Sequence, residues 1–333
     1  MAAPTPLLIQ REVDAQREPH TKTALMNTHV TLPNLVIAGL ARSGTSAMFQ
    51  YLIEHPDVCG SKKKEAFYFT NAADAMPLPP IDAYAELFDA YAGERVVVEA
   101  TPTYFNGGRA VAEAIDRTLG PDAKILVSLR EPVARLVSTY NLQLSRLRIQ
   151  PDTTLAAYVD ACRQSPTIGE ARDDGMKDYQ AYQAGFYGDI LPHWFSVFGP
   201  RLQVVFFERL EADPAAFMVD IARWLGIDAA FYQHRGFEIQ NPTMRYRLQR
   251  VHRLANAVNE RAEPWLRRRP ALKNALRRVY ASVNSASASP SDEDTHVRER
   301  LRDDYADSNR RARTLLEQQG YTELPGWLTR DSG

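Results

Sequence analysis

The stretch from Leu35 to Leu52, LVIAGLARSGTSAMFQYL, has the glycine spacing of a phosphate-binding loop but lacks its lysine. Apolar residues run into Gly39, and Gly44 precedes an amphipathic segment, as in G-x-x-x-x-G-K-S/T. Thr45 occupies the lysine position. That lysine contacts the β- and γ-phosphates in nucleotide triphosphatases, so this loop does not favour γ-phosphoryl transfer. The amides at the start of a helix still suit a terminal anion.

Two arginines and a serine have the positions to bind anions. Arg42 lies inside the loop, and Arg130 ends the predicted strand AKILVSL, where open α/β sheets bind their ligands. Ser138 follows eight residues later in a predicted helix. If Arg130 and Ser138 converge on a second anion, the ligand is a nucleotide with phosphates at two separate places. The alternative is that Arg130 caps helix carbonyls or pairs with Glu131.

Strand and helix signals alternate between Leu35 and about Asp228. Strands are predicted in residues 34–40, 94–100, 123–129 and 202–210, and helices in 45–55, 110–119, 132–147, 180–198 and 214–225. Asp213 is the expected N-cap of the last of these helices and Gly226 its stop. Short apolar strands separated by helices predict an α/β fold, an open parallel sheet with helices on both faces, of the P-loop nucleotide-binding type.

The last third of the chain differs in composition. Residues 245–278 hold eleven Lys or Arg and two acidic residues, which fits either solvated helices or contact with anions and lipid headgroups. A final amphipathic helix is predicted to end at Gly320. We therefore expect a flexible tail in 1–30, an α/β core in 31–235, and a basic loop with a helical C-terminal extension of the same domain in 236–333.

Composition limits the classes of partner. The net charge of −1 argues against nucleic-acid binding by bulk electrostatics. Cys59 and Cys162 are the only cysteines, too few for a disulfide framework or a metal cluster. No stretch approaches the length of a membrane span, and the N-terminal residues show no signal-peptide pattern. A cytoplasmic location is expected, with peripheral membrane contact through 245–278 as an open alternative.

Together these motifs resemble those of sulfotransferases that use 3′-phosphoadenosine 5′-phosphosulfate (PAPS). The family's R/K-x-G-T-T/S element is matched by Arg42, Ser43, Gly44, Thr45 and Ser46. Its R-x-P-x-x-R-x-x-S-x-Y element is matched by Arg130, Pro132, Arg135, Ser138 and Tyr140. The first element is implied to bind the 5′-phosphosulfate and the second the 3′-phosphate. The resemblance covers about Leu35 to Asp228.

The resemblance also implies catalytic roles. The KEAFYF segment, Lys64 to Phe69, matches the family's K-E-P-H-F/Y-F and makes Glu65 the implied general base. Arg42 is implied to hold the sulfuryl oxygens and to stabilise the leaving group. The segment GFYGDILPHWFSVFG also resembles the family and places Tyr187 among the implied nucleotide contacts. Arg245 and Arg247 are expected on a loop that closes over the 3′-phosphate and adenine.

The implied reaction is in-line transfer of SO₃ from PAPS to a hydroxyl or amine, with 3′-phosphoadenosine 5′-phosphate (PAP) as product and no metal. The expected acceptor is a small molecule, a glycolipid or a carbohydrate. Two departures from the family pattern argue against a glycosaminoglycan as the acceptor: Phe67 replaces the usual histidine, and Ala100 replaces a lysine common in carbohydrate-modifying relatives. The near-neutral net charge also argues against it, because a polyanionic acceptor would favour a strongly basic cleft.

Several alternatives stay open at this stage. A P-loop kinase would need a lysine near Gly44 and a magnesium-binding aspartate, and a non-catalytic nucleotide-binding protein would not need Glu65. Glu65 itself fits an ordinary surface glutamate beside three lysines. The next candidates for the base are His20, His55 and Glu99. A final set of aromatic residues fits either an acceptor pocket or the core: Phe67, Tyr68, Phe69, Tyr104 and Phe105.

Overall fold

A computed structural model describes residues 8–9, 30–146, 148–150, 152–165, 179–233, 235–237 and 292–330 of the 333-residue chain. The chain divides into two compact units. The sheet unit comprises Met1–Arg130, Tyr187–Gln240 and Arg310–Arg330, and the helical unit comprises Glu131–Phe186, Asn241–Asn309 and Asp331–Gly333. The predicted division at residues 30 and 235 stays a prediction.

The sheet unit is built on a parallel sheet, as predicted. Its five strands lie in the order β4-β5-β3-β6-β7, and every neighbouring pair is parallel. Every residue of β3 and β5 is buried, because helices cover both faces of the sheet. The strands, numbered in chain order, are β1 (Leu8–Ile9), β2 (Val30–Thr31), β3 (Leu35–Gly39), β4 (Val58–Gly60), β5 (Val96–Ala100), β6 (Lys124–Leu129) and β7 (Leu202–Phe206).

The helices described fall into both units. In the sheet unit they are α1 (Thr45–Ile53), α2 (Ile81–Ala85), α3 (Gly108–Leu119), α6 (Tyr187–Phe198), α7 (Phe207–Ala212), α8 (Pro214–Leu225), α9 (Ala230–Gln233) and α11 (Gly326–Thr329). In the helical unit they are α4 (Pro132–Ser145) and α5 (Leu155–Gln164). The long helix α10 (Asp292–Gln318) contributes residues to each unit.

Local capping signals are confirmed. The Asp213 side chain accepts a hydrogen bond from the Ala216 amide at 2.9 Å and caps α8. Gly226 ends α8 with a left-handed φ of 76°, and Gly320 follows α10 with a φ of 87°. The Glu131 side chain likewise caps α4. These ends are decided by residues next to them in the chain, so the sequence predicts them well.

Two element predictions are wrong in their bounds, and one strand was missed. The helix expected over 180–198 begins only at Tyr187, after a short 3₁₀ turn at Gln183–Gly185. A Cβ on Gly185 would lie 2.6 Å from the Tyr305 ring, a close approach by a residue distant in sequence. The strand expected over 202–210 ends at Phe206 and becomes α7, because the apolar run continues past the turn. Strand β4, three residues long, was not predicted.

The flexible tail expected in 1–30 stays a prediction. Leu8–Ile9 forms a short antiparallel pair with Val30–Thr31. The other residues of 1–29 lie outside the described part of the chain, as does the basic segment 245–278.

The core of the sheet unit contains a buried indole with a single polar partner. Trp194 on α6 is fully buried, its Nε1 donates to the Phe105 carbonyl at 3.0 Å, and its ring stacks on Phe105 and Phe198. Trp327 on α11 is a natural contrast. Its Nε1 is also buried but makes no hydrogen bond within the described residues.

Replacing Trp194 by Phe is therefore expected to destabilise the fold more than replacing Trp327 by Phe. Trp194→Phe leaves a buried carbonyl without a partner and opens a cavity, a loss of about 2–4 kcal/mol. Trp327→Phe removes an unsatisfied donor and should change the free energy of unfolding by less than about 1 kcal/mol. Urea unfolding followed by far-UV circular dichroism measures both. Equal losses would contradict the role given to the Trp194 hydrogen bond.

Candidate functional site

The predicted site residues of the sheet unit follow three adjacent strands. In the sheet order β5-β3-β6, the loop at 40–44 follows β3 and Arg130 directly follows β6. The Glu65 amide donates to the carbonyl of Ala100, the last residue of β5, at 2.9 Å. Because the strands are parallel, their carboxyl ends meet at one edge of the sheet, where ligands bind in open α/β folds.

The loop after β3 is held by β6. The Leu40 amide donates to the Ser128 carbonyl at 2.9 Å, and the Ser128 hydroxyl donates to the Ser43 carbonyl at 2.6 Å. Gly44 closes the loop with a φ of 81°, and a Cβ there would lie 2.6 Å from Leu210. The backbone conformation therefore favours glycine at Gly44.

The start of α1 has the properties of an anion site. Its ladder begins with the Met48 amide donating to the Gly44 carbonyl at 3.0 Å, so the amides of residues 44–47 precede the first intrahelical bond. Ser43 is fully buried, and its hydroxyl finds no partner among the described residues. Thr45, at the lysine position, is also buried. The helix dipole and these donors favour a negatively charged group.

Arg42 and Arg130 are brought together. Nη1 of Arg130 donates to the Arg42 carbonyl at 3.0 Å, and the Arg130 guanidinium lies over the Phe207 ring at 4.3 Å from its centroid. The Tyr187 hydroxyl donates to the Arg130 carbonyl at 2.8 Å. Arg42 adopts a left-handed φ of 70°. The Arg130 guanidinium and the Arg42 main chain thus meet at the same edge of the sheet.

Tyr187 has a positioning contact that the motif did not indicate. The residue is fully buried and packs edge to face on Trp327. Its hydroxyl holds the main chain of Arg130. Direct contact of Tyr187 with a nucleotide stays a prediction.

Glu65 lies on a turn beside the end of β5. Its side chain is 43% exposed and forms an ion pair with Lys64 at 3.0 Å. Its φ of 67° is left-handed, which is uncommon for a residue with a side chain. The exposed carboxylate is accessible to solutes, as a general base must be.

Glu99 is the buried carboxyl group of the same edge, and the sequence ranked it below Glu65. Burial raises its pKa to about 7, while Thr101, Tyr104, Tyr84 and the Lys64 ammonium oppose the shift. The Thr101 hydroxyl donates to Glu99 Oε2 at 3.0 Å. The sequence signal was present, since a glutamate in an otherwise apolar strand, VVVEA, must be buried.

The aromatic set divides between core and surface. Phe67 is 44% exposed, and its φ of 55° is also left-handed. The other four aromatic residues are core, namely Tyr68, Phe69, Tyr104 and Phe105. Only Phe67 is therefore available to contact an acceptor from solvent.

The second predicted anion element lies partly in the helical unit. Ser138 on α4 is buried there, and its role towards a nucleotide stays a prediction. Two other motif residues make structural bonds: a guanidinium nitrogen of Arg135 donates to the Ala181 carbonyl, and the Tyr140 hydroxyl donates to the Thr153 carbonyl at 2.7 Å. Arg130 Nη1 donates to the Arg42 carbonyl at 3.0 Å, and the alternatives that Arg130 caps helix carbonyls or pairs with Glu131 stay predictions.

The remaining candidates lie elsewhere. His55 is buried, with Nδ1 accepting from the Asp57 amide and Nε2 at 3.0 Å from the Asp228 carbonyl. Arg245, Arg247 and His20 lie outside the described residues. Within the described ranges, no group of three or more His, Cys, Asp or Glu could hold a metal ion. None of the helices described there is long and apolar enough to cross a membrane.

Comparison with known proteins connects this site to one family. Residues 32–243 match the family model for the sulfotransferase domain. The human heparan sulfate glucosamine 3-O-sulfotransferase 3B1 is 29% identical over 198 residues, which is 59% of this chain and 46% of that protein. The membrane-associated sulfotransferase kil1 of Dictyostelium discoideum is 31% identical over 137 residues, 40% of this chain and 28% of that protein.

A solved structure agrees with these matches. A sulfotransferase from Alicyclobacillus acidocaldarius superposes with a TM-score of 0.54 and 29% identity, covering 63% of this chain and 87% of that one. By contrast, the chain spans about half the length of the human relative it matches.

The buried state of Glu99 predicts a pH-dependent stability. Its pKa is about 7 in the fold and near its ordinary value when unfolded, so the unfolded chain loses this proton first as the pH rises. Stability is therefore greatest below the unfolded pKa and falls until the pH passes about 7. Relative to Glu99→Gln, the wild type should lose about 2–3 kcal/mol between pH 5 and pH 8.

Urea unfolding at the two pH values measures this difference. Glu86→Gln, at an exposed glutamate of the same unit, is the control and should follow the wild type. If Glu99→Gln runs parallel to the wild type as well, the buried carboxyl group is not the titrating group.

Proposed function

Because the chain belongs to the sulfotransferase family, we propose that it transfers a sulfuryl group from PAPS to a hydroxyl or amine of an acceptor. The observation that carries the proposal is the bond between Arg130, which follows β6, and the carbonyl of Arg42 in the lysine-free loop after β3, at the carboxyl edge of the sheet. Such a site provides cations and backbone donors to anions without the lysine of a triphosphatase.

The residues of the loop fit this donor. Ser43 has a buried hydroxyl without a partner among the described residues, and Gly44 closes the loop with a left-handed φ of 81°. PAPS, when bound, supplies a sulfuryl group on a 5′-phosphate and leaves as PAP. Together with Ser43 and Gly44, Thr45 and Ser46 would provide hydrogen-bond donors to the donor's 5′-phosphosulfate at the first turn of α1. The proposed mechanism needs no metal.

The chain's residues then have separate tasks. Glu65 accepts the proton of the acceptor hydroxyl or amine, so that its oxygen or nitrogen attacks sulfur as the bond to the phosphate oxygen breaks. Arg42 neutralises the charge that develops on the sulfuryl and phosphate oxygens. Arg130 holds the 3′-phosphate. Nucleotide contact by Ser138, Arg245 and Arg247 stays a prediction from the sequence. Tyr187 holds Arg130 in place.

We propose a carbohydrate as the acceptor. The human relative is named for heparan sulfate glucosamine, which supports a sugar in place of the small molecule that the net charge favoured. Exposed Phe67 lies two residues from Glu65 and offers a flat apolar surface to a sugar ring. Ala100 and Phe67 depart from the family pattern, so the sugar need not be a glycosaminoglycan.

Two measurements test this proposal directly. A thermal-shift comparison of PAP with ATP and magnesium separates it from a kinase-like or purely nucleotide-binding protein, because a ligand that binds only the native state raises its stability. Mass spectrometry then scores heparan sulfate oligosaccharides, neutral oligosaccharides, glycolipids and phenols for gain of one sulfuryl group. Cytoplasmic location and membrane contact through 245–278 stay proposals, which cell fractionation would test.

Arg130→Ala is expected to weaken PAP much more than adenosine 5′-phosphate. A charge-assisted contact with the 3′-phosphate is worth about 1.5–3 kcal/mol, so the affinity ratio should fall by about 10–100-fold. A smaller loss shared by both nucleotides is expected, because Arg130 also supports the Arg42 carbonyl. Calorimetric titration measures both, with Arg223→Ala at an exposed site as control. Equal losses would contradict the 3′-phosphate assignment.

Glu65→Gln should retain PAP affinity and stability but lose most transfer activity. The amide cannot accept the proton of the acceptor, and general-base contributions are about 10²–10⁴-fold in kcat. Arg42→Ala should lower both affinity and kcat, since its charge meets the bound donor and the developing charge. Near-normal turnover of Glu65→Gln, alongside an active Glu86→Gln control, would place the base elsewhere.

A further inference from the structure

We propose that Glu99 and Thr101, at the end of β5, are positioning residues that hold the Glu65 turn in a conformation it would not adopt alone. This inference rests on the proposed function for its kinetic test, but its structural test is independent of activity. The turn in question is residues 64–67, between strand β4 and the buried aromatic residues Tyr68 and Phe69.

The turn contains two strained residues. Glu65 and Phe67 have left-handed φ values of 67° and 55°, a region that disfavours residues with a Cβ. Such conformations persist where the surroundings over-determine them, and they concentrate at functional sites. Something adjacent to the turn must therefore hold it.

The main-chain N–H of each strained residue donates to the end of β5. The Glu65 amide donates to the Ala100 carbonyl at 2.9 Å. The Phe67 amide donates to Thr101 Oγ1 at 3.4 Å. The first contact uses a main-chain carbonyl, which any residue would provide. The second depends on the side chain of Thr101, so the identity of this residue matters.

Glu99 determines how the Thr101 hydroxyl is used. Thr101 Oγ1 donates its only proton to Glu99 Oε2 at 3.0 Å, so the lone pairs of this oxygen are available to the Phe67 amide. Both side chains are fully buried, which fixes the geometry. Glu99 is too buried to touch the acceptor, in contrast to the exposed Glu65, and thus acts through Thr101.

Lys64 connects the two carboxyl groups. Its Nζ forms the ion pair with Glu65, and its charge also acts on Glu99. The other titratable groups that face Glu99 are Tyr84 on α2 and Tyr104 on the 3₁₀ turn after β5. If Glu99 lost its charge, the Lys64 ammonium would interact with the Glu65 carboxylate alone of these two groups.

The variants Thr101→Val and Thr101→Ser test this arrangement, with exposed Thr103→Val as the matched control. Thr101→Val removes the acceptor for the Phe67 amide at nearly constant volume, whereas Thr101→Ser keeps the hydroxyl. Hydrogen exchange of the peptide spanning 61–69 should accelerate at least tenfold in Thr101→Val. It should stay within about threefold of the wild type in Thr101→Ser and Thr103→Val.

The kinetic arm uses the acceptor that gives the highest turnover in the screen. Misplacement of a reacting group by about 1 Å can lower the rate about 10²-fold, so Thr101→Val should lose about 10–100-fold in kcat with PAP affinity unchanged. In Glu99→Gln, the pH dependence of kcat should no longer show an ionisation near neutral pH. Rescue by Thr101→Ser separates positioning from loss of folding.

The outcomes distinguish this inference from the proposed function. Unchanged exchange of 61–69 and kcat within twofold in Thr101→Val would overturn the inference. A proportional loss of PAP affinity would also overturn it, because the effect would then be general. If the wild type neither binds PAP nor transfers a sulfuryl group, the proposed function fails while the exchange result still decides whether Thr101 holds the turn.

Discussion

The hydrogen bond between Arg130 Nη1 and the Arg42 carbonyl is the contact on which the rest of the site depends. Two guanidinium groups repel each other, yet here the side chain of one residue binds the main chain of the other. The carbonyl accepts a charge-assisted bond, and the Phe207 ring covers the Arg130 plane. Because β3 and β6 are parallel neighbours, Arg42 and Arg130 follow strands that end at the same edge of the sheet.

Backbone strain is concentrated at this edge. Four residues other than glycine have a left-handed φ in the described ranges, and three of them are Arg42, Glu65 and Phe67. The buried strands beneath them provide the compensating stability, since β3 and β5 are covered on both faces. A rigid sheet can thus hold loop residues in conformations that a free loop would leave.

Two carboxyl groups near the end of β5 occupy opposite environments. Glu65 is exposed and paired with Lys64, whereas Glu99 is buried and bonded to Thr101. Desolvation raises the pKa of the buried Glu99. One edge of the sheet thus holds an exposed carboxyl group that can contact a solute and a buried one that can support the loop.

The sequence by itself determined the parallel α/β class, the loop before α1, and the helix ends at Asp213, Gly226 and Gly320. These features depend on neighbours in the chain, such as turn glycines, caps and apolar runs, whose signals are local. It also selected Arg42 and Arg130 by motif spacing, and Glu65 through the resemblance to the sulfotransferase family.

Only the tertiary structure decided which of these residues meet and which are exposed. The bond between Arg130 and Arg42, the burial of Tyr68 and Phe69 beside exposed Phe67, and the support of Glu65 by β5 join segments distant in sequence. So do the late start of α6 and the three-residue strand β4. Contacts of this kind depend on which strands become neighbours in the sheet, and no local pattern of residues specifies that order.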